Sequence, residues 1–207
     1  MCNVWNYIRY VCKTRRNLKQ KKSIYHQSEN EIQREEKILK KSIHNPNAFA
    51  PIYEKYYLQL FKFVIQRVEN NEIAAEIVSD VFAKAIFNLK KYKFKGMPFS
   101  AWLYRVAYNE IANLHRKKKK RRTVNIPDDS WNLFQLEETH TEDHSSSINK
   151  MKVCLQKLKP HEVELIEMRF FEERPFKEVG EILGLTTENA RVKTHRAIKK
   201  LQKLFKA

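Results

Sequence analysis

The sequence predicts an all-α protein: two small helical domains joined by a flexible acidic linker, the second of them a helix-turn-helix. Three observations carry that expectation. Only 3 glycines and 6 prolines occur in 207 residues, too few turn-formers for an all-β sandwich or for glycine-rich phosphate loops. Apolar residues recur at helical spacing through most of the chain. Charge falls in blocks, with a net +7 in residues 1–47, +10 in 48–122, −6 in 123–149 and +6 in 150–207, for a total of +17. The acidic stretch TVNIPDDSWNLFQLEETHTEDHSSSIN, residues 123–149, separates two basic segments and reads as a tether.

A surplus of this size is costly on a compact particle unless a polyanion shares it, which points to nucleic acid or an anionic membrane surface. The most apolar N-terminal run, VWNYIRYVC, is about half the length needed to span a bilayer, and Arg9 interrupts it. It also lacks a signal-peptide cleavage pattern, so no membrane insertion is expected and the cytoplasm is the expected compartment. Cys2, Cys12 and Cys154 form no CxxC pair, which excludes a disulfide framework and a cysteine zinc site.

Taken in order, residues 1–46 form a basic N-terminal extension, poorly ordered or helical, because KTRRNLKQKK and EIQREEKILKK offer few apolar anchors. The first domain spans 47–122. Its first helix places Phe49, Ile52, Tyr56, Leu60, Phe63 and Val64 on one face. A second, from about Glu72 to Tyr92, carries one row of Ile73, Ile77, Val81 and Lys84, and another of Ala74, Val78, Phe82, Ala85 and Leu89. That stripe is broader than a domain of some 75 residues ordinarily needs, so part of it is expected to serve a partner. Gly96 and Pro98 then break the pattern. Phe99, Leu103, Val106, Ala107, Ile111 and Leu114 define a third helix that ends in RKKKKRR, Arg116 to Arg122.

The second domain, 150–207, shows four helical pieces: INKMKVCLQKL, PHEVELIEMRFFE, PFKEVGEILG and TENARVKTHRAIKKLQKLF. Pro160 and Pro175 suit first turns. Gly180 leaves room for a close crossing, Gly184 makes a tight turn, and Thr186 or Thr187 can cap the last helix. This is the pattern of a helix-turn-helix. In the last helix Ala190, Thr194, Ala197, Ile198, Leu201 and Leu204 form the inward stripe. Glu188, Arg191, Val192, His195 and Lys199 face outward, flanked by Asn189, Lys193 and Arg196. Such a face suits a major groove, where a bidentate Arg or Asn contact contributes roughly 1–3 kcal/mol of base discrimination.

Around the third helix, six of the chain's 24 aromatic residues fall within 17 positions: Tyr92, Phe94, Phe99, Trp102, Tyr104 and Tyr108. Phe99 and Trp102 are assigned to the core, whereas Tyr104, Arg105, Tyr108 and Arg116 share the opposite face. Rings beside cations are what unpaired bases stack upon. Catalytic groupings are poor. His161 lies near Glu162 and Glu164, and His140 near His144, but no metal site, HExxH, GxSxG or phosphate loop is present, and neither catalysis nor a cofactor is expected.

Over residues 47–205 these strings resemble the two-domain, extracytoplasmic-function class of bacterial RNA polymerase sigma factors, of the sigma-70 family. EIVSDVFAKA is similar to the core-binding helix, FSAWLYRVAYNEIANLHRKKKKR to the promoter-melting and minus-ten-reading helix, and LKPHEVELIEMRFFEERPFKEVGEILGLTTENARVKTHRAIKKL to the minus-thirty-five-reading domain. The resemblance implies that Glu76, Ile77, Asp80, Val81 and Phe82 dock on the clamp of the largest polymerase subunit, with a further contact at the flap. It implies that the loop bearing Lys93, Phe94 and Lys95 captures a flipped base of the melted non-template strand. Arg105, Tyr108, Asn109, Asn113, Arg116 and Lys117 then track that strand, and the helix from Thr187 reads the upstream element as duplex. It also admits an anti-sigma factor as partner. Ser79 stands where the family commonly has Gln, Val192 and Thr194 are weak base readers, and no further domain is expected after Leu204.

Two other classes remain as alternatives on the sequence. A duplex-only activator or repressor would use the helix-turn-helix with a dimerising domain and prefer a palindrome, but has no need of the aromatic, basic third helix. A nuclease would need clustered carboxylates, and the acidic residues of the basic domains, such as Asp80, lie singly.

Overall fold

The computed structural model describes residues 27–121 and 145–206, and no strand occurs among them. They comprise eight α-helices: α1 Glu29–Ser42, α2 Ala50–Ile65, α3 Asn71–Phe87, α4 Phe99–Arg121, α5 Ser145–Gln156, α6 Pro160–Ile166, α7 Phe176–Leu183 and α8 Thr187–Lys206. The chain divides into two compact units, with α1 to α4 in one and α5, α6 and α8 in the other. Residues 1–26, and 123–144 of the expected linker, lie outside the described residues, while α5 begins five residues before the linker was expected to end.

The first unit starts earlier than residue 47. The Ser28 hydroxyl accepts the Glu31 amide at 3.3 Å and the Glu31 carboxylate accepts the Ser28 amide at 2.7 Å, a capping box that starts α1. Glu35, Leu39 and Ser42, spaced along one face, are buried. The sequence pattern hides this face because one of its three inward residues is a carboxylate and another a hydroxyl. The helix packs on α4 and on the Pro46–Phe49 turn that leads into α2.

In α2 the inward residues are Ile52, Tyr56, Leu60, Phe63 and Val64, as the spacing predicts. The Asn70 side chain caps α3 by accepting the Ile73 amide at 2.9 Å. α3 packs against both α2 and α4, so it buries Ala74, Ile77, Val78, Val81, Phe82 and Ala85 within its own unit. Its broad stripe therefore reflects two neighbours in the fold. At the far end of α2, the buried Arg67 guanidinium stacks on the Phe63 ring at 3.8 Å and donates to the Phe63 carbonyl at 2.9 Å. The His115 ring on α4 donates to the Arg67 carbonyl at 3.1 Å, tying the two helices.

In the second unit, α8 packs on α5 and α6. A π-helical turn, Glu167–Phe171, follows α6. The corner after it places Glu173 in the left-handed region at φ 58°. Arg174 is wholly buried there beside Glu172 and Glu178, and its carbonyl accepts Arg169 Nη1 at 3.0 Å.

Candidate nucleic-acid interface

The turn between α7 and α8 is set by two glycines. Gly184 adopts φ +67°, which a residue with a Cβ takes only under strain. A Cβ on Gly180 would lie 2.8 Å from the Leu185 carbonyl oxygen, so glycine here lets α7 and the turn touch. The Leu185 amide bonds the Gly180 carbonyl at 2.8 Å across that contact. Of the two threonines, Thr186 supplies the cap, its hydroxyl accepting the Asn189 amide at 3.2 Å.

α8 buries Ala190, Thr194, Ala197, Ile198, Leu201 and Phe205. The stripe ends on Phe205, with Leu204 half-buried, because 3.6 residues per turn carries the inward face one position on. Glu188, Asn189, Arg191, Val192, Lys193, His195, Arg196 and Lys199 are exposed and Thr187 is half-buried, so the expected reading face is open to solvent. Phe176, absent from the sequence expectation, lies under two cations: Arg191 at 5.7 Å and Arg169 at 5.0 Å from the ring centre. A cation held over a ring loses less freedom on meeting DNA. Its signal was an aromatic residue directly after Pro175.

On α4, Arg105, Tyr108 and Asn113 are half-buried, and Asn109, Arg116 and Lys117 are exposed. Asn113 Oδ1 accepts Arg116 Nη2 at 2.7 Å, which holds that guanidinium against the Asn113 side chain. Lys93 and Lys95 are exposed and Phe94 half-buried in the loop before α4, where Gly96 turns the chain at φ +63°. Tyr104 does not join this face. It is buried against Phe63, with ring centres 4.8 Å apart at 81°, because α4 packs on α2 as well as on α3. Phe99 is core as expected, and Trp102, half-buried, stacks on it at 5.5 Å.

Of the expected polymerase-contact residues, Glu76 and Asp80 are exposed, while Ile77, Val81 and Phe82 are buried between α2 and α4. The apolar surface left open on α3 lies one turn further on, at Ile86 and at Phe87, which is 84% exposed.

Glu35 is a residue that no spacing or motif marks in advance. Only 3% exposed, its carboxylate accepts Lys55 Nζ at 2.7 Å, the Tyr56 hydroxyl and the Phe99 amide at 3.1 Å. Burial, with the Glu35 charge alongside, pushes the Tyr56 phenol far above its usual range, so Tyr56 remains a donor.

Residues 52–121 match the sigma-70 region 2 family and residues 154–203 the sigma-70 region 4 family. The chain is similar to the RNA polymerase sigma factor YlaC of Bacillus subtilis, 26% identical over 160 residues that make up 76% of this chain and 91% of that protein. It is also similar to the ECF RNA polymerase sigma factor BldN of Streptomyces coelicolor, at 21% identity over 77% of this chain and 61% of that protein. Among solved structures, the fold is shared with CnrH in complex with the cytosolic domain of CnrY, at TM-score 0.54 and 19% identity, covering 82% of this chain and 95% of that one. It is shared as well with the sigma factor RpoE from Bartonella quintana, at TM-score 0.53 and 20% identity over 77% and 97% of the two chains. Two matched modules in this order define a promoter-recognition subunit. The chain belongs to the sigma-70 family, in its extracytoplasmic-function class, and so binds core RNA polymerase and directs it to promoters.

Proposed function

We propose that this sigma factor also melts the promoter it selects, without chemistry of its own, and that the two modules meet DNA in different states. The observation carrying this reading is that one chain holds two different polar faces. One, on α8, is an open cationic face behind a capped turn, suited to a paired groove. The other, on α4, sets half-buried Tyr108 beside Arg105, Asn109 and Arg116, suited to an unpaired strand that needs both stacking and backbone neutralisation.

In this reading Lys93, Phe94 and Lys95 receive an extruded base, Arg105, Tyr108, Asn109, Asn113, Arg116 and Lys117 hold the strand, and Thr187 to Lys199 read the upstream duplex. The core contact rests on Glu76 and Asp80 with exposed Ile86 and Phe87. Residues 123–149 tether domains 47–122 and 150–207, the first extended to include α1. No described helix is long and apolar enough to cross a membrane, and action in the cytoplasm follows from the polymerase partner. The RpoE relative was solved with an anti-sigma factor, NepR, and we extend that mode of restraint to this chain.

The test is transcription with purified core polymerase on promoters found by sequencing transcript 5′ ends after overexpression. Core plus this protein should give specific transcripts and permanganate-reactive thymines near the minus-ten element. Substituting Arg105 and Tyr108 by alanine should abolish reactivity while sparing upstream duplex binding. Equal loss of both would favour a duplex-only regulator.

A further inference from the structure

Glu35 is buried, charged and outside both matched family regions, yet it joins three helices at one point. A carboxylate in such a place is costly unless every lone pair is used. Here they are. One oxygen takes Lys55 and Tyr56 from α2, and the other takes the backbone amide of Phe99, the first residue of α4. Helix starts leave their first amides without intrahelical partners, and a nearby side-chain oxygen or negative charge stabilises them. The residue before Phe99 is Pro98, whose side chain has no oxygen to offer. Ser100, next along, is buried in the same cluster. Gln27, just before α1, donates its side-chain amide to the Tyr56 hydroxyl and so closes the cluster from the other side.

The position matters because Phe99 is where the loop 93–98 becomes the helix bearing Arg105 and Tyr108. The loop turns on Gly96 at φ +63° and carries two exposed lysines.

We propose that Glu35 is a positioning residue of the melting module: from α1 it caps α4 and fixes the loop 93–98 in the geometry that receives the unpaired strand. This rests on the melting function proposed above. Glu35 touches no DNA; it acts through the Phe99 amide and the first turn of α4.

The test uses full-length protein assembled with core polymerase on a promoter identified by the transcript sequencing above. Fork-junction DNA carries 2-aminopurine at the unpaired minus-ten base whose extrusion raises its fluorescence. Separate measurements follow core binding, binding to the minus-thirty-five duplex and the melting temperature of the free protein. Glu35→Ala should weaken fork-junction capture by about ten-fold and dim the fluorescence rise, since it leaves the amide and the Tyr56 hydroxyl without their acceptor. Glu35→Gln, which keeps an acceptor of the same shape, should fall between wild type and Glu35→Ala. Core binding and upstream duplex binding should stay within about two-fold.

Fork-junction capture and fluorescence equal to wild type in both variants would overturn the proposal. So would a loss of equal size in all three binding assays, which would reduce Glu35 to a stabiliser of the fold. If Glu35→Ala does not fold, Glu35→Gln decides on the same criteria. A wild-type holoenzyme that fails to capture the unpaired base would overturn the melting reading and this one with it. That result differs from a wild type that captures it and variants that do so equally.

Discussion

Glu162 accepts Lys200 Nζ and the Lys159 amide, each at 2.8 Å, tying the start of α6 to α8. Burial pushes its carboxyl up, but the Lys200 and Lys159 hydrogen bonds outweigh burial and hold it below its ordinary 4.5. A depressed folded value means stability that is present above the ordinary carboxylate range and lost as pH falls through the folded one. The gap in melting temperature between wild type and Glu162→Gln should therefore be widest near about pH 7 and close as pH drops below 4.5. A gap that stays constant down to acid pH would contradict this. At Arg191 the expected effect is on base choice: replacement by alanine should cost roughly 1–3 kcal/mol of discrimination at one upstream base pair, read by competition between promoter variants.

Among the elements, α3 separates packing from partner contact. Phe82→Ala should destabilise the first unit by about 3–5 kcal/mol, because the ring is 3% exposed and meets Phe49 edge-on at 6.3 Å. Asp80→Ala should leave stability within about 0.5 kcal/mol and weaken core polymerase binding, measured by pull-down beside thermal unfolding. In the second unit, Gly180→Ala should cost about 1–3 kcal/mol, as the new methyl would meet the backbone at Leu185 and Thr186. The helical stripes of α2, α4 and α8, and the glycine-built turn, were legible because apolar spacing and φ > 0 leave direct marks in sequence. The partners of a stripe leave none. A wide face reads the same whether a second helix of the same unit or another protein covers it, so the breadth of α3 could not separate a partner surface from packing on α2 and α4. Tyr104 shows a similar limit: its spacing fits the face of Arg105 and Tyr108, and only the path of α4 past Phe63 turns it inward. The sequence allowed a helix in residues 1–46 but not its packing into the first unit, for the opposite reason: two of the three inward residues of α1 are polar, and Glu35 becomes compatible with burial only through Lys55, Tyr56 and Phe99, distant in sequence.

For the whole molecule, a net charge of +17 makes ionic strength the governing variable of promoter affinity. Removing one phosphate contact should lower the slope of log affinity against log salt by about 0.9 if that contact is made to duplex, and by about 0.7 if it is made to a single strand. Applied to Lys199→Ala and Arg116→Ala in the holoenzyme, this distinguishes paired from unpaired tracts without a structure of the complex. Equal reductions would count against a division of labour between α8 and α4. The chain also carries its own clock for internal opening. The Cys154 thiol, on α5, which packs on α8, is 3% exposed, so an alkylating reagent can reach it only when α5 parts from its neighbours. The labelling rate at that sulfur, followed by peptide mass, thus reports how often the reading helix loses its support, and it should slow when cognate promoter is bound.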